Sequence, residues 1–270
     1  MLLPTTTLCR IVTCVVALSQ GLVLASPVPH EEEELSTRNR GFGNGMWLRI
    51  MPLGASITWG LKSSDGNGYR EYLRNEIVDY GNEVNMVGSR RNGTMEDNDV
   101  EGWPGLIISQ VHEKALSAVP KYKPNLILIN VGTNDCSAKI ETSKAGQRMT
   151  EMLDDIYKSS PQVTVILSTL LIRWDEAAQE CVEDVNQQFV AAAASQRSKG
   201  RGIVVVDMQP PDGPESDELV DGTHPNDYGY EKMANIWFNG IHQADRAGFL
   251  HKKEPIAGNP DGVPDRGVYS

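Results

Sequence analysis

The residues of this sequence that could perform chemistry together begin with one serine and one histidine. Ser56 lies in Gly54-Ala55-Ser56, directly after an apolar run, and His224 follows Asp221 by three residues near the other end of the chain. A serine hydroxyl becomes a nucleophile when a base takes its proton. An imidazole can be that base, and a carboxylate can hold the imidazole in the correct tautomer. These residues predict nucleophilic catalysis, with Ser56 as nucleophile, His224 as base and Asp221 as its orienting partner.

Two further clusters contain hydrogen-bond donors for a negatively charged oxygen. Asn134 follows Gly132 after a long apolar run, and Gly105 closes the cluster that begins at Gly102. A side-chain amide can donate to a developing oxyanion, and one such donor is worth roughly a hundred- to a thousand-fold in rate. A glycine N–H before a helix can also face an anion. Alone, each of the four clusters could merely cap a turn, a loop or a helix, so the prediction depends on their combination.

The elements between the clusters would bring them together. Short apolar runs predict strands at 48–53, 84–88, 125–131, 163–170 and 203–208, and amphipathic runs predict helices at 68–80, 106–119, 145–157, 176–196 and 227–247. Strands that alternate with helices predict a doubly wound α/β fold, a three-layer α/β/α sandwich with a five-stranded parallel, flavodoxin-like sheet. Ligands bind such sheets beyond the carboxyl ends of the strands, which is where the four clusters fall.

The order of the clusters resembles the SGNH (GDSL-like) hydrolase superfamily. The superfamily's four blocks correspond here to Gly54-x-Ser56, Gly102-x-x-Gly105, Gly132-x-Asn134-Asp135 and Asp221-x-x-His224, within Met46 to about Ala247. Within the superfamily the chain is most similar to carbohydrate esterase family 3, in the segments IMPLGASITWG (50–60), DGNGYR (65–70), VEGWPG (100–105), GTNDC (132–136) and DGTHPN (221–226).

The resemblance implies roles for these residues. It makes Ser56 the nucleophile, and it forms an oxyanion hole from the backbone N–H groups of Ser56 and Gly105 and the amide of Asn134. His224 and Asp221 keep the roles that their chemistry suggests. The chain departs from the family at Ala55, where an aspartate is usual. Because alanine cannot make that aspartate's hydrogen bonds, support for the serine loop must come from elsewhere.

The predicted function is secreted serine esterase activity through an acyl-serine intermediate. The resemblance implies acyl esters, above all acetyl esters, on plant cell-wall polysaccharide such as acetylxylan. One alternative is a hydrolase of lipids or short-chain esters, but the loops after Gly60 and Gly88 are polar, which favours a sugar. A second alternative is a non-catalytic carbohydrate-binding protein. A complete set of nucleophile and base argues against it, since binding alone needs neither.

Several residues near the clusters could contact a substrate. Trp59, Trp103 and Trp174 could stack on sugar rings, and Asp135 follows Asn134 directly. The plainer interpretation is packing for each tryptophan and loop capping for the aspartate. The HExxH, Cys-x-x-Cys and Walker motifs are missing from the sequence, so no metal and no other cofactor is predicted.

The ends of the chain differ in composition from its body. An apolar run at 11–18 follows Arg10 and precedes Val23-Leu24-Ala25, which predicts a signal peptide at 1–25. The run is too short for a membrane span, although a short N-terminal anchor is the alternative. We expect a linker or propeptide at 26–45, the esterase domain at 46–250 and a flexible tail at 251–270, in a secreted, extracellular protein.

Cysteine and charge content complete these expectations. Removal of the signal peptide would remove Cys9 and Cys14, which leaves Cys136 and Cys181 to form one disulfide or to remain as two buried thiols. Asn92 begins a glycosylation sequon.

The formal net charge is -11, and no basic patch is visible, which argues against a nucleic-acid partner. We expect a monomer that acts on an acetylated polysaccharide or a small ester.

Overall fold

The computed structural model describes residues 41–256, and its centre is one seven-stranded sheet. The strands are β1 (Leu48–Gly54), β2 (Val84–Met86), β3 (Arg90–Arg91), β4 (Asp99–Gly102), β5 (Leu126–Asn130), β6 (Thr164–Ser168) and β7 (Ile203–Val206). The α-helices are α1 (Ser56–Trp59), α2 (Tyr69–Asp79), α3 (Ile108–Tyr122), α4 (Thr133–Ala138), α5 (Ala145–Ser159), α6 (Glu176–Ser198) and α7 (Asp227–Arg246). Short 3-10 helices cover Phe42–Asn44, Thr142–Lys144 and Ser216–Glu218.

The parallel part of the sheet confirms the predicted fold class. Strands β1, β5, β6 and β7 pair in that order, all parallel. The other edge of β1 is shared, because β2 pairs with its first half and β4 with its last two residues. Counted as one position, β2 and β4 complete a five-stranded flavodoxin-like sheet. Strand β3 runs antiparallel to β4, and the sequence did not predict either, because they are short and charged.

Helices cover both faces of the sheet, which explains why β1 and β5 are buried along their whole length. On one face α3, α5 and α6 pack together, and on the other α2 packs against α7. The sequence of helix α5 shows why it packs on the sheet. Met149, Met152, Leu153 and Ile156 repeat at helical spacing, and all are buried in the hydrophobic core on the face that α3, α5 and α6 cover. The large buried side chain of Trp237 on α7 belongs to the hydrophobic core on the opposite face, which α2 and α7 cover.

The register of the central strands aligns the predicted clusters. Gly54, the last residue of β1, pairs with Gly102 at the end of β4 and with Asn130 at the end of β5. A Cβ atom at Gly54 would lie 2.1 Å from the Asn130 carbonyl oxygen, so the strands approach this closely only because residue 54 is glycine. The segments that follow β4, β1 and β5 therefore start side by side at one edge of the sheet.

The folded body is longer than the predicted 46–250 at its N-terminal end. Phe42 is fully buried, and its backbone N–H and carbonyl both bond to the side chain of Asn82, at 2.7 and 2.9 Å. Its ring packs against Tyr80 and Phe238. The prediction of a linker up to residue 45 is therefore wrong at its end, because one aromatic residue anchors the segment. The signal peptide predicted at 1–25 and the linker up to residue 40 lie outside the described residues.

The C-terminal boundary also moves outward. Asn125 Nδ2 donates to the His251 carbonyl at 2.9 Å, and Arg49 Nη1 donates to the Glu254 carbonyl at 2.9 Å. Residues 251–256 thus lie against the sheet rather than in the predicted flexible tail, whose remaining part, 257–270, lies outside the described residues. None of the helices between residues 41 and 256 combines the length and apolar content needed to cross a bilayer.

Candidate active site

Ser56, His224 and Asp221 form one continuous chain of hydrogen bonds. His224 Nε2 lies 2.8 Å from Ser56 Oγ, although 168 residues separate the two. On the other side of the ring, Nδ1 lies 3.0 Å from each carboxylate oxygen of Asp221. Because a carboxylate can only accept, Nδ1 carries the proton and Nε2 faces the serine hydroxyl as an acceptor. This is the geometry in which an imidazole can take the serine proton.

The backbone around Ser56 supplies the support that Ala55 cannot. Helix α1 begins at Ser56, directly after the turn at Ala55, and the Trp59 N–H donates to the Ala55 carbonyl at 3.0 Å. The Trp103 N–H donates to the Gly54 carbonyl at 2.9 Å, which ties the end of β1 to the segment after β4. Main-chain bonds therefore hold the serine loop in place without an aspartate at residue 55.

The segment with Asp221 and His224 is a tight turn stabilised by its own residues. Asp221 Oδ1 also accepts the backbone N–H groups of Thr223 and His224, at 3.2 and 3.0 Å. The Val220 N–H donates to the His224 carbonyl at 2.8 Å, and Gly222 adopts a φ of 75° that favours glycine. Because Asp221 precedes His224 by three residues, its carboxylate can accept hydrogen bonds from both the backbone N–H and the ring of His224.

These contacts also act on the ionisation of Asp221. Partial burial of the carboxyl group favours its neutral form, but the bonds from the His224 ring and from the His224 and Thr223 backbone outweigh that burial and lower the pKa of Asp221. A carboxylate that stays ionised can hold Nδ1–H and stabilise an imidazolium as it forms.

Asn134 stands on the first turn of α4, at the same edge of the sheet. Its Nδ2 donates to the Leu106 carbonyl at 2.9 Å, which fixes the direction of the amide group. An amide nitrogen carries two N–H bonds, so one remains for another acceptor. Leu106 follows Gly105, an exposed glycine with a φ of 84°, and the bond therefore joins the two predicted oxyanion donors. The donation of Asn134, Gly105 and the Ser56 N–H to an oxyanion stays a prediction.

The prediction that Asp135 contacts substrate is wrong. Its side chain is fully buried, it accepts the Ile108 N–H at 3.1 Å, and it forms an ion pair with Arg148 at 2.5 Å. Burial raises the pKa of Asp135, and the charge of Arg148 opposes this rise. Asp135 therefore joins the start of α3 to α4 and α5. The sequence could not reveal Arg148, because no motif connects it to Asp135.

Trp59 and Trp103 lie at the edge of the site, but their rings already have partners. The Arg90 guanidinium lies 4.1 Å from the ring centroid of Trp59 and 4.5 Å from that of Trp103. Lys114 Nζ lies 4.3 Å from the Trp103 centroid, and Trp103 Nε1 donates to buried Glu101 at 2.7 Å. Both tryptophan rings thus make cation–π contacts within the protein. The structure therefore gives no support to the prediction that Trp59 and Trp103 stack on sugar rings.

The side-chain amide of Asn92 already has hydrogen-bond partners, and its glycosylation stays a prediction. Asn92 Nδ2, the atom that a glycan would modify, donates to the carbonyl oxygens of Trp59 and Gly66, both at 2.8 Å. A glycan on Nδ2 would replace at least one of these N–H groups. The sequon lies in a loop as expected, but its amide points inward and holds the segment after α1.

The disulfide prediction is confirmed. Cys136 and Cys181 form a disulfide that joins α4 to α6. Cys136 follows Asn134 by two residues on α4. No group of three or more histidine, cysteine, aspartate or glutamate residues within 41–256 is arranged to hold a metal ion.

Comparison with known proteins agrees with this arrangement. The model of the GDSL-like Lipase/Acylhydrolase family matches residues 53–232. The chain belongs to this family. The match contains Ser56, Asn134, Asp221 and His224.

Individual relatives share about a quarter of their residues with this chain. A multidomain esterase of Ruminococcus flavefaciens is 26% identical over 224 residues, which are 72% of this chain and 28% of that protein. The chain thus spans little more than a quarter of this relative. A family 3 carbohydrate esterase of Clostridium thermocellum superposes with a TM-score of 0.66 at 24% identity, over 74% of this chain and 98% of that one. An acetyl esterase mutant with an acetate ion gives 0.65 at 22% identity, over 74% and 99%.

Proposed function

We propose that this chain removes acetyl groups from the sugar hydroxyls of a polysaccharide such as acetylxylan, through an acyl-enzyme on Ser56. The observation that carries the proposal is the unbroken chain of hydrogen bonds from Ser56 through His224 to Asp221. Such a chain prepares a hydroxyl for attack on a carbonyl carbon.

In the first half of the reaction Ser56 Oγ bonds to the ester carbonyl carbon while its proton moves to His224 Nε2. The carbonyl oxygen becomes an oxyanion, which the amide of Asn134 and the N–H groups of Gly105 and Ser56 stabilise. The bond between the carbonyl carbon and the sugar oxygen then breaks, and His224 returns the proton to that oxygen. Asp221 stays ionised and holds the imidazolium in position. The sugar leaves with a free hydroxyl.

In the second half, water replaces the sugar. His224 takes a proton from the water as its oxygen bonds to the acyl carbon, and the same donors hold the second oxyanion. The bond to Ser56 Oγ breaks, and His224 gives the proton to that oxygen. Acetic acid leaves and loses its proton to the solvent, and the enzyme is restored.

The choice of substrate rests on the relatives and on the surface around the site. The two structural relatives described above are a family 3 carbohydrate esterase and an acetyl esterase. The exposed apolar residues Leu61, Val220 and Tyr228, each within five residues of Ser56, Asp221 or His224, favour a lipid or short-chain ester as the second candidate. A series of p-nitrophenyl esters separates the two, because the acetyl ester should react fastest in the first case and the octanoyl ester in the second.

We further propose that the protein is secreted. The Cys136–Cys181 disulfide supports this, because such bonds form and persist in oxidising compartments. The apolar segment at 11–18, followed by Val23-Leu24-Ala25, is typical of a signal peptide and its cleavage site.

The test measures acetate release from acetylated xylan and hydrolysis of p-nitrophenyl acetate. Wild type should act on both, Ser56→Ala should equal the buffer blank, and Ser143→Ala, which changes an exposed serine away from the triad, should equal wild type. A serine-directed phosphonate should add to the peptide that contains Ser56. Activity retained by Ser56→Ala would refute the nucleophile, and release from p-nitrophenyl acetate without release from xylan would refute the substrate.

A further inference from the structure

Trp174 is a large aromatic residue that the fold holds in place without covering it. It lies in the loop between β6 and α6, and it is 55% exposed. Its Nε1 donates to the Ser216 carbonyl at 2.7 Å, so the indole is fixed in orientation although one side meets solvent. An exposed ring with a fixed orientation loses little entropy when a ligand stacks on it.

The Trp174 ring borders the triad. A Cβ atom on Gly222 would lie 2.8 Å from two atoms of the indole, so the ring packs directly on the backbone of that glycine. Gly222 lies between Asp221 and His224 in the tight turn of the active site. A ligand on Trp174 would therefore lie next to the groups that transfer the proton.

A cavity with both polar and apolar lining lies beside the same loop. Its volume is about 450 Å³, and the two chain neighbours of Trp174, Arg173 and Asp175, are part of its lining. The rest of the lining is formed by polar Ser137, Lys139 and Thr142 and by apolar Cys136, Ala177, Ala178 and Cys181. Arg173 Nη1 donates to Ser137 Oγ at 3.1 Å, while its buried Nε has no hydrogen-bond partner. The cavity thus combines hydroxyl and cationic donors with the size of a small-ligand site.

We infer that Trp174 and this cavity form a subsite for the sugar chain that carries the ester, with one ring stacked on Trp174 and the next ring in the cavity. This inference rests on the proposed function. An indole face suits the C–H face of a sugar ring, which is apolar, whereas the hydroxyl groups of the next ring need the donors and acceptors of the cavity. An acyl chain would take water from the charged groups of Arg173, Lys139 and Asp175 without replacing its hydrogen bonds, whereas sugar hydroxyls can replace them.

Activity on two substrates tests the subsite. Trp174→Ala should lower kcat/KM for acetylated xylo-oligosaccharides at least tenfold more than for p-nitrophenyl acetate, mainly through KM, because the small ester does not reach the subsite. Trp174→Phe should lie between Trp174→Ala and wild type, since it keeps a ring but loses the bond to Ser216. Leu116→Ala, which removes an exposed apolar side chain on α3, should leave both rates at the wild-type level. An equal fall on both substrates would overturn the inference, and so would no fall on either.

Binding tests the subsite independently of catalysis. Ser56→Ala protein should bind xylohexaose in a calorimetric titration, with binding weakened about tenfold by an added Trp174→Ala. Thr142→Trp, which fills the cavity, should weaken xylohexaose more than xylobiose. If xylohexaose binds as expected while wild type hydrolyses no ester, the proposed function fails and the subsite stands. If Ser56→Ala does not bind xylohexaose, or binds it equally well without Trp174, the subsite is refuted whatever the esterase activity.

Discussion

The turn that carries Asp221 and His224 is held by its own backbone, whereas the helix that carries Asn134 is held by the rest of the molecule. The Asp221 side chain is 38% exposed, and its partners all lie within three residues. Asp135, beside Asn134, is fully buried and reaches α3 and α5, and a disulfide joins the same helix to α6.

The difference corresponds to two tasks. In the proposed reaction a proton moves between Ser56, His224 and the leaving group, so this side of the site has to meet solvent and substrate. The proposed oxyanion donors must instead stay at fixed positions before charge develops, because their value depends on needing no reorganisation. Local bonds suffice for the first task, and links between distant segments serve the second.

The largest expected loss of activity comes from substitutions in the turn that carries Asp221 and His224. His224→Ala should lower kcat about 10⁵- to 10⁶-fold, and Asp221→Asn should cost about 10⁴-fold, because orienting a base is a smaller task than transferring a proton. Both variants should unfold near the wild-type temperature, since the turn contributes little to the core. Initial rates with p-nitrophenyl acetate and thermal unfolding check this. A larger loss for Asp221→Asn than for His224→Ala would reverse the assigned roles.

A smaller loss is expected on the other side of the site. Asn134→Ala should lower kcat roughly a hundred- to a thousand-fold with little change in KM, because its donation matters only when the oxyanion forms. Asn235→Ala, which removes an exposed amide on α7, is the matched control and should leave kcat unchanged. If Asn134→Ala raises KM at constant kcat, Asn134 binds the ground state and is no oxyanion donor.

The links around α4 should contribute to stability more than to rate. Replacement of Cys136 and Cys181 by serine together should lower the free energy of unfolding by roughly 2–4 kcal/mol, because the unfolded chain loses a cross-link. The folded variant should keep most of its activity, since Asp135 and Arg148 still hold α4. Urea unfolding monitored alongside activity tests this. A fall in kcat comparable to that of Asn134→Ala, without loss of stability, would show that the disulfide positions the amide.

The smallest effect concerns the shape of the pH profile. Hydrogen bonds lower the pKa of Asp221, so this carboxylate remains ionised as the pH falls through the range of about 5 to 8 in which imidazoles commonly take up a proton. One ionisation should therefore shape the acid limb, with a slope of one in log kcat/KM against pH. A slope of two would mean that Asp221 also gains a proton in that range and would contradict its lowered pKa.

Much of the fold was predictable because its signals are local. The continuous apolar run of β5 and the helical spacing on α5 each lie within one segment, and the structure confirms both elements. The division of one sheet position between β2 and β4 was not predictable, because these short strands are defined by their partner β1. The ends of the folded body also depended on distant contacts, such as those of Phe42 with Asn82.

The sequence by itself determined which residue types could react and in what order they stand along the chain. Ser56, His224 and Asp221 were predicted as the catalytic residues in this way, since catalytic chemistry needs particular side chains after particular strands. Only the tertiary structure decided what surrounds them. It buried Asp135 against Arg148, placed cations over Trp59 and Trp103, turned the Asn92 amide inward and left Trp174 uncovered beside Gly222. Exposure and partnership depend on residues brought from elsewhere in the chain, and no local pattern encodes them.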